Sequence, residues 1–438
     1  MNDAARTVGK YHVLQELGRG ATGKVYLAED PFARRKVAIK VAYPDALKNS
    51  EDGAFYRGMF LNEAALAGKV NHPHIVQIYD AVVEDDYSYI VMEYVEGGTL
   101  EKFCQAEKLL EPREVAEIIF KCVRALAFAH TLGLTHRDIK PGNILHNEGT
   151  DIKIADFGAA INRVSDRTMI MNVGSPAYMA PELVTGNAQA SHLTDIYALG
   201  VVMYYMLTAK LPFQGANTMS VIYQIVNTEP ERPSAHRPGL SADLDAIVMK
   251  AIAKDPAMRF ATWDEFGQAL AETWKKGQKA EEKKGVTDME RFSLLRPLPF
   301  FRDFPENELW EVLRISKWAK FHPDTVLIKE GDHGDSFYIL AGGYVRVTRG
   351  KRTLSVLTAG DCFGEMSYLG RAKEGKDGKD GSHRSATVTT TSDCIVMKIR
   401  AEDLRAASLT CRRLFDERFL NTLVERLENA NEQLAVMS

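Results

Sequence analysis

The sequence predicts an α+β chain of two domains, and three observations carry that prediction. Between Tyr11 and about Ala42, β-prone stretches are broken by glycine-rich or charged turns, after which helical spacing dominates to about Trp274. Residues 275–287 (KKGQKAEEKKGVT) are almost wholly polar and cannot bury an apolar face, which marks an exposed linker or a solvated helix end. From Thr325 to Ile399, short alternating stretches (TVLIKE, FYIL, YVRVT, TLSVLT, TVTTT, CIVMKI) are separated by glycine and aspartate turns, the pattern of an antiparallel β-roll. Helical spacing flanks the roll, from Leu294 to Trp318 before it and from Glu402 to Val436 after it. The expected domains are therefore residues 11–274 and 294–438, joined by a charged linker over 275–293.

Composition agrees with two buried cores. The chain has 438 residues, of which 45% are hydrophobic and 26% charged, and this argues against overall disorder. A net charge of -4 gives no global basic excess, so neither nucleic acid nor an anionic membrane is expected as the main partner. The five cysteines, Cys104, Cys122, Cys362, Cys394 and Cys411, show no C-x-x-C pairing and read as buried or inert thiols in a reducing compartment. The first residues lack a signal-peptide pattern. The best membrane candidate, Ile196 to Thr208, falls short of the ~20 residues a bilayer needs and reads as a buried core helix. A cytoplasmic protein without a membrane span is the expectation.

In the first domain, Gly18, Gly20 and Gly23 form G-x-G-x-x-G. Dinucleotide-binding folds share this pattern, but there a helix follows the glycines. Here KVYLAED continues as alternating strand, so the segment reads as a β-hairpin whose backbone can cover phosphates. An ordinary glycine-rich turn would be the alternative if nothing else matched. Val37-Ala38-Ile39-Lys40 then sets a lysine at the end of the next strand, and Glu63 lies in a helical stretch from which it can pair with that lysine. Downstream come His136-Arg137-Asp138-Ile139-Lys140-Pro141-Gly142-Asn143, then Asp156-Phe157-Gly158, then Ala180-Pro181-Glu182. Their joint occurrence in this order is highly specific.

On these motifs residues 11–272 resemble a eukaryotic-like (Hanks-type) serine/threonine protein kinase domain, which implies a bilobal fold and transfer of the ATP γ-phosphate to protein hydroxyls. Such transfer needs anionic oxygens neutralised and held in line. The resemblance implies Asn143 and Asp156 as Mg2+ ligands, Lys40 held by Glu63 on the α- and β-phosphates, Lys140 near the transferred phosphate, and Asp138 as catalytic base. It implies further that Gly18, Gly20 and Gly23 cover the phosphates, that Val25, Ala38 and Leu145 sandwich the adenine, that Glu93 to Val95 form the hinge, and that Met92 is the gatekeeper. Asp195 and Arg259 match scaffold positions, with Arg259 expected to pair with Glu182.

Lys140 two residues after Asp138, with Gly174-Ser175-Pro176-Ala177-Tyr178 ahead of Ala180-Pro181-Glu182, is similar to the serine/threonine branch. Thr99 and Gly142 stand where arginine-reading kinases similar to the cyclic-AMP-dependent enzyme carry acidic residues, so the resemblance implies no Arg-Arg-x-Ser preference. Between Ala159 and Val173 lie Ser165 and Thr168, candidates for autophosphorylation with Arg137 as a partner for the phosphate. Their alternative is plain loop polarity.

Residues 294–430 resemble a cyclic-nucleotide-binding domain: Leu298-Pro-Phe-Phe-Arg-Asp-Phe looks like its entry helix, and Glu330-Gly-Asp, Phe337-Tyr-Ile-Leu and Gly343-Tyr-Val-Arg-Val look like its β-roll. The family's phosphate cassette is matched by Gly364, Glu365 and Met366, with Glu365 for a ribose hydroxyl, and by Arg384 and Ser385, with Arg384 for a cyclic phosphate. Cyclic AMP and cyclic GMP both remain open as ligands. Residues 371–383 lengthen the family's spacing between Glu365 and Arg384, and doubling a flexible loop costs only ~0.6 kcal/mol. Leu420, Leu423, Leu427, Ala430 and Leu434 form a helical stripe expected to dock on its own β-roll, or else to pair two chains as a homodimer.

The sequence thus points to a kinase regulated by a cyclic nucleotide. The alternatives are a non-catalytic ligand-sensing scaffold and an active kinase whose C-terminal domain serves docking only.

Overall fold

The computed structural model describes residues 7–20, 23–43, 60, 65, 70–83, 88–157, 176–186, 189–277, 287–369 and 383–437. The chain divides into two compact units, Met1–Ala280 and Glu281–Ser438.

The first unit opens on a six-stranded antiparallel sheet: β1 (Thr7–Val8), β2 (Tyr11–Arg19), β3 (Gly23–Asp30), β4 (Arg35–Ala42), β5 (Ile78–Val83) and β6 (Ser88–Glu93), in the order β1-β2-β3-β4-β6-β5. Alternation puts Ala28, Val37, Ile39 and Val91 on one face with Tyr11 and Tyr89, while Ala42, Phe60 and Ile90 pack on the other. At the mouth of the β2–β3 hairpin the Gly20 N–H donates to Gly23 O at 2.9 Å. A side chain at Gly23 would collide with the Val41 carbonyl at 2.0 Å, so close pairing with β4 requires glycine there.

Among the described residues, the regular structure in the rest of the unit is helical apart from the small hairpin of β7 (Ile144–His146) and β8 (Ile152–Ile154). Helix α1 (Pro112–Thr131) starts with proline at its first turn and a reciprocal cap between Glu111 and Glu114, and buries Val115, Ile118, Ile119, Cys122 and Leu126. Helix α2 (His192–Thr208), capped by Ser191 and Thr194, is buried along nearly its whole length, so the apolar run from Ile196 is a core helix. Each fully buried Ile, Leu or Phe contributes roughly 1.5–3 kcal/mol here. Around α2 lie α3 (Thr218–Asn227), α4 (Ala242–Ala251) and α5 (Trp263–Gly277). Among the described residues no helix is long and apolar enough to cross a membrane.

The second unit begins with α6 (Asp288–Leu295), inside the stretch expected to be linker. Thr287 caps it, and Met289, Phe292 and Leu295 recur at helical spacing and are buried, with the Phe292 ring stacked on Trp310 at 4.6 Å. After α7 (Glu306–Ile315) the chain does not continue as helix to Trp318 but turns into β9 (Ser316–Phe321), whose backbone pairs with residues 394–399. The roll is two four-stranded sheets. One has the order β10-β15-β12-β13, from β10 (Val326–Ile328), β12 (Val345–Arg349), β13 (Arg352–Leu357) and β15 (Thr387–Thr390). The other has the order β14-β11-β16-β9, with β11 (Ser336–Gly342), β14 (Cys362–Phe363) and β16 (Cys394–Arg400). Ile328, Leu340, Val345, Phe363, Val388 and Val396 fill the space between them.

Short helices α8 (Met366–Leu369) and α9 (Ala401–Ala406) precede the long α10 (Leu409–Met437). The stripe of α10 that docks is Cys411, Leu414, Phe415 and Phe419, packed against Phe300, Phe304 and Phe337. This corrects the expectation for Leu420 and Leu427, which are 60% and 63% exposed because the helix turns them away from the face that Phe415 and Phe419 bury, whereas Leu423, four residues after Phe419, is half-buried. The side chains of Ala430 and Leu434 lie outside the described residues. All five cysteines are free and buried.

Candidate catalytic cleft and ligand pocket

Around Asp138 the loop geometry follows from one buried aspartate. Asp195, on the first turn of α2, accepts the backbone N–H groups of His136 at 2.7 Å and Arg137 at 2.8 Å. That grip holds Arg137 at a left-handed φ of 69°, which a long side chain seldom adopts unassisted. The His136 ring donates from Nε2 to the Ala155 carbonyl at 3.0 Å and accepts the Asp138 N–H at Nδ1, tying this loop to the strand end before Asp156.

Asp138 is held asymmetrically. Its Oδ2 accepts from Lys140 Nζ at 2.7 Å and from Asn143 Nδ2 at 2.9 Å, and Asn143 Nδ2 also reaches the Asp138 carbonyl at 2.7 Å. Among the described residues nothing donates to Oδ1. The same bonds commit the amide nitrogen of Asn143 and leave its Oδ1 as an oxygen donor.

Asp156 also has left-handed backbone, with φ 65°. Its Oδ1 accepts from Lys40 Nζ at 3.0 Å, joining β4 to the segment after β8. Burial pushes the Asp156 carboxyl up, but the adjacent Lys40 charge, aided by His136 and Lys140, holds it below the ordinary aspartate value. Asp156 and Asn143 together offer hard oxygen donors, the chemistry that suits Mg2+. Glu63, expected to pair with Lys40, lies outside the described residues, as do Gly158, Ser165 and Thr168.

The apolar positions fall on the sheet and hairpin around these groups. Val25 stands opposite Lys40 and Ala38 opposite Met92, while Leu145 is bridged to Thr99. Met92 also lines a small internal cavity of about 20 Å³ with Val76, Ile154 and Phe157. Sequence reasoning missed how the hinge is anchored: the Glu93 carboxylate pairs with Lys153 on β8 at 3.0 Å and accepts the Gln77 N–H. Alternation on a three-residue strand carries no cue for such a pair. Among the described residues the Val95 backbone makes no hydrogen bond. Among the described residues, no atom lies within 3.5 Å of a side chain added at Gly18 or Gly20. Arg259 pairs with Glu182 as expected, through Nη1 and Nη2 at 2.7 Å each.

In the second unit Gly364, Glu365, Met366, Arg384 and Ser385 all line one pocket of about 190 Å³, walled by apolar groups including Ile328, Val347 and Leu357. Arg384 donates to two carbonyls, Gly364 O at 3.0 Å and Ser336 O at 2.6 Å. Among the described residues it makes no ion pair, and burial pulls its guanidinium below the usual value. A half-buried cation bonded only to neutral oxygens is a seat for an anion. Its backbone is pinned from both sides, by Asp332 O and by the Gly331 N–H, so the residue keeps its place beyond the inserted stretch, of which 371–382 lie outside the described residues.

Glu365 is buried and already engaged. Arg426 of α10 pairs with its Oε1 at 2.7 Å and also donates to the Cys362 carbonyl. Arg426 lines the pocket too and was not expected from the sequence, where 61 residues separate it from Glu365.

A protein kinase domain family model matches residues 11–274, and a cyclic nucleotide-binding domain model matches 318–410. Curated relatives include the serine/threonine-protein kinase PrkC of Bacillus subtilis, 38% identical over 302 residues covering 68% of this chain and 45% of the relative. The serine/threonine-protein kinase PknB of Mycobacterium tuberculosis is 38% identical over 296 residues, covering 65% of this chain and 46% of its own length. A probable serine/threonine-protein kinase of Streptomyces coelicolor is 36% identical over 276 residues, 60% of this chain and 40% of that protein. The chain thus spans under half the length of these relatives.

Proposed function

The chain belongs to the protein kinase family, and from that premise we propose that its first unit transfers the ATP γ-phosphate to serine and threonine hydroxyls of proteins, under control of a cyclic nucleotide bound by its second unit. The kinase domain is read over 11–274 and the sensor over 294–438. The observation that carries the catalytic reading is the convergence of Lys40 on Asp156 and of Lys140 and Asn143 on Asp138.

Asp156 and Asn143 would hold Mg2+, which when bound would supply positive charge to offset that of the phosphate oxygens. The remaining work falls to the chain. Lys40 grips the α- and β-phosphates, with Glu63 proposed as its second partner. The uncrowded backbone at Gly18 and Gly20 closes over the phosphates, and Val25, Ala38 and Leu145 flank the adenine, whose edge meets the Val95 backbone beside Met92 and Glu93. Asp138 orients the acceptor hydroxyl and takes its proton at Oδ1, because Oδ2 is fixed by two donors. Lys140 offsets the charge of the phosphate in flight. Autophosphorylation is proposed at Thr168 or Ser165.

For the sensor, Arg384, which makes no ion pair among the described residues, supports a cyclic phosphate, with Ser385 beside it and Glu365 for the ribose hydroxyl. A ligand that engages Glu365 must share or displace Arg426, and this biases α10. A coupling of ~1–3 kcal/mol suffices for a 5- to 150-fold change in activity. The same Glu365–Arg426 pair favours a second reading, in which the pocket stays shut and the unit serves docking only. A cytoplasmic location and a homodimer through α10 belong to the proposal as well.

Incubating the full chain with ATP and Mg2+ tests the catalytic reading. Phosphoserine or phosphothreonine should appear on an added protein acceptor and on the segment holding Ser165 and Thr168, located by mass spectrometry. Release of inorganic phosphate with no phosphoamino acid would contradict transfer to protein.

A further inference from the structure

Helix α7 carries two acids three residues apart, Glu308 and Glu311, on the side that meets the first turn of α10, where Cys411 lies. One carboxylate oxygen of each acid and the Cys411 Sγ all lie within 4.8 Å of one another. Cys411 is fully buried, Glu308 nearly so, and Glu311 half-buried.

Ser408 draws the two acids together. Its Oγ stands 3.1 Å from Glu308 Oε2 and 2.6 Å from Glu311 Oε2, and its backbone N–H donates to Glu311 Oε1 at 2.9 Å. A hydroxyl carries one proton, so only one of the two Oε2 atoms receives it. Asn307 Nδ2 supplies the remaining donor, to Glu308 Oε1 at 3.1 Å. Among the described residues neither carboxylate forms an ion pair. Two like charges brought together out of water need a proton or a cation between them.

The sulfur favours the cation. Cys411 spends its backbone N–H on Ser408 Oγ at 3.0 Å, and among the described residues its thiol has no hydrogen-bond partner. A proton shared by the acids would leave that buried thiol unused, whereas a metal ion engages all three groups. Mg2+ and Ca2+ take oxygen ligands, while Zn2+ accepts thiolate and carboxylate in one tetrahedron, with Zn–S about 2.3 Å and Zn–O about 2.0–2.2 Å. Such bonds set neighbouring ligands roughly 3.5 Å apart, a contraction that Glu311, the least buried of the three, has room to make.

We propose that Glu308, Glu311 and Cys411 form a Zn2+ site that clamps α7 to the start of α10, with water as fourth ligand. The metal takes the sulfur as thiolate, and the thiol proton passes to solvent. Ser408 and Asn307 act as positioning residues that orient the carboxylates. None of the three ligands serves the catalytic cleft or the Arg384 pocket, so the inference stands apart from the proposed function.

The test uses the full chain, stripped of metal by a chelator, kept reduced with a phosphine and titrated with Co2+. This probe adopts the same tetrahedral geometry, and a thiolate ligand gives it a sulfur-to-metal charge-transfer band in the near ultraviolet. One equivalent should develop the band, Zn2+ should remove it by displacement, and excess Mg2+ should leave it intact. Binding at the oxygen ligands Asn143 and Asp156 gives no such band. Cys411→Ser should abolish the band, and Glu311→Gln, at the half-buried position where folding is least at risk, should weaken Co2+ binding about tenfold or more. No sulfur band at saturating Co2+, or a band of unchanged strength and affinity in Glu311→Gln, overturns the site.

Discussion

Asp156→Asn is expected to lower the rate of phosphate transfer by on the order of 10³-fold with little change in stability. The substitution keeps the size and one oxygen of the side chain and removes the charge that Lys40 approaches at 3.0 Å. Charge neutralisation at a phosphoryl group is worth several kcal/mol, and each 1.36 kcal/mol is a factor of ten in rate. Because Lys40 holds the Asp156 carboxyl below its ordinary value in the folded chain, the carboxylate is fully charged above the usual aspartate range and is lost only as pH falls through the lowered value. Wild-type activity near neutral pH should therefore show no titration from this group. Initial rates of labelled phosphate transfer, compared with thermal melting of both proteins, measure the effect; equal rates in the two would favour the non-catalytic scaffold.

Arg259→Ala should have the largest effect on stability. The Arg259 side chain is fully buried, and all of its N–H directions are used: two on the Glu182 carboxylate, and the others on the carbonyls of Ala253, Leu193 and Lys254. Truncation leaves a nearly buried Glu182 with no counter-charge, and breaking such a pair costs roughly 3–5 kcal/mol. For a unit of this size each kcal/mol moves the melting temperature by about 2–4 °C, so a drop of roughly 6–20 °C is expected. Arg259→Lys should recover only part of it, since a single ammonium cannot replace a fork. A melting temperature within a degree or two of wild type for Arg259→Ala would show that the pair contributes far less than its burial implies.

Most of the cleft was legible because its chemistry is written in short, ordered motifs. Lys40, Asp138, Asn143 and Asp156 each sit in a local pattern, and the Arg259–Glu182 pair followed from the resemblance those patterns established. The strands of the roll were legible from alternation and turns, except β9. In SKWAKF only Ser316 is buried, so the segment lacks the alternating apolar signal and its identity comes from backbone pairing to β16. The start of α6 was hidden by the charged run before it. The apolar stripe on α10 was seen, but periodicity alone does not say which of two overlapping stripes faces the core, and the aromatic cluster around Phe337 selects Phe415 and Phe419. Arg426 on Glu365 was out of reach for the same reason: the pair joins segments with no sequence relation, and only the fold makes them neighbours.

On the proposed function, an anion seated on Arg384 changes the output of the Asp138 and Asp156 cluster. The most direct measurement is the rate of phosphate transfer by the full chain with cyclic AMP, with cyclic GMP and with neither, for wild type and Arg384→Ala. A change of about fivefold or more with one of the nucleotides, absent in Arg384→Ala, is the predicted result. A wild-type rate that neither nucleotide alters would contradict the claim and leave the second unit as a docking domain.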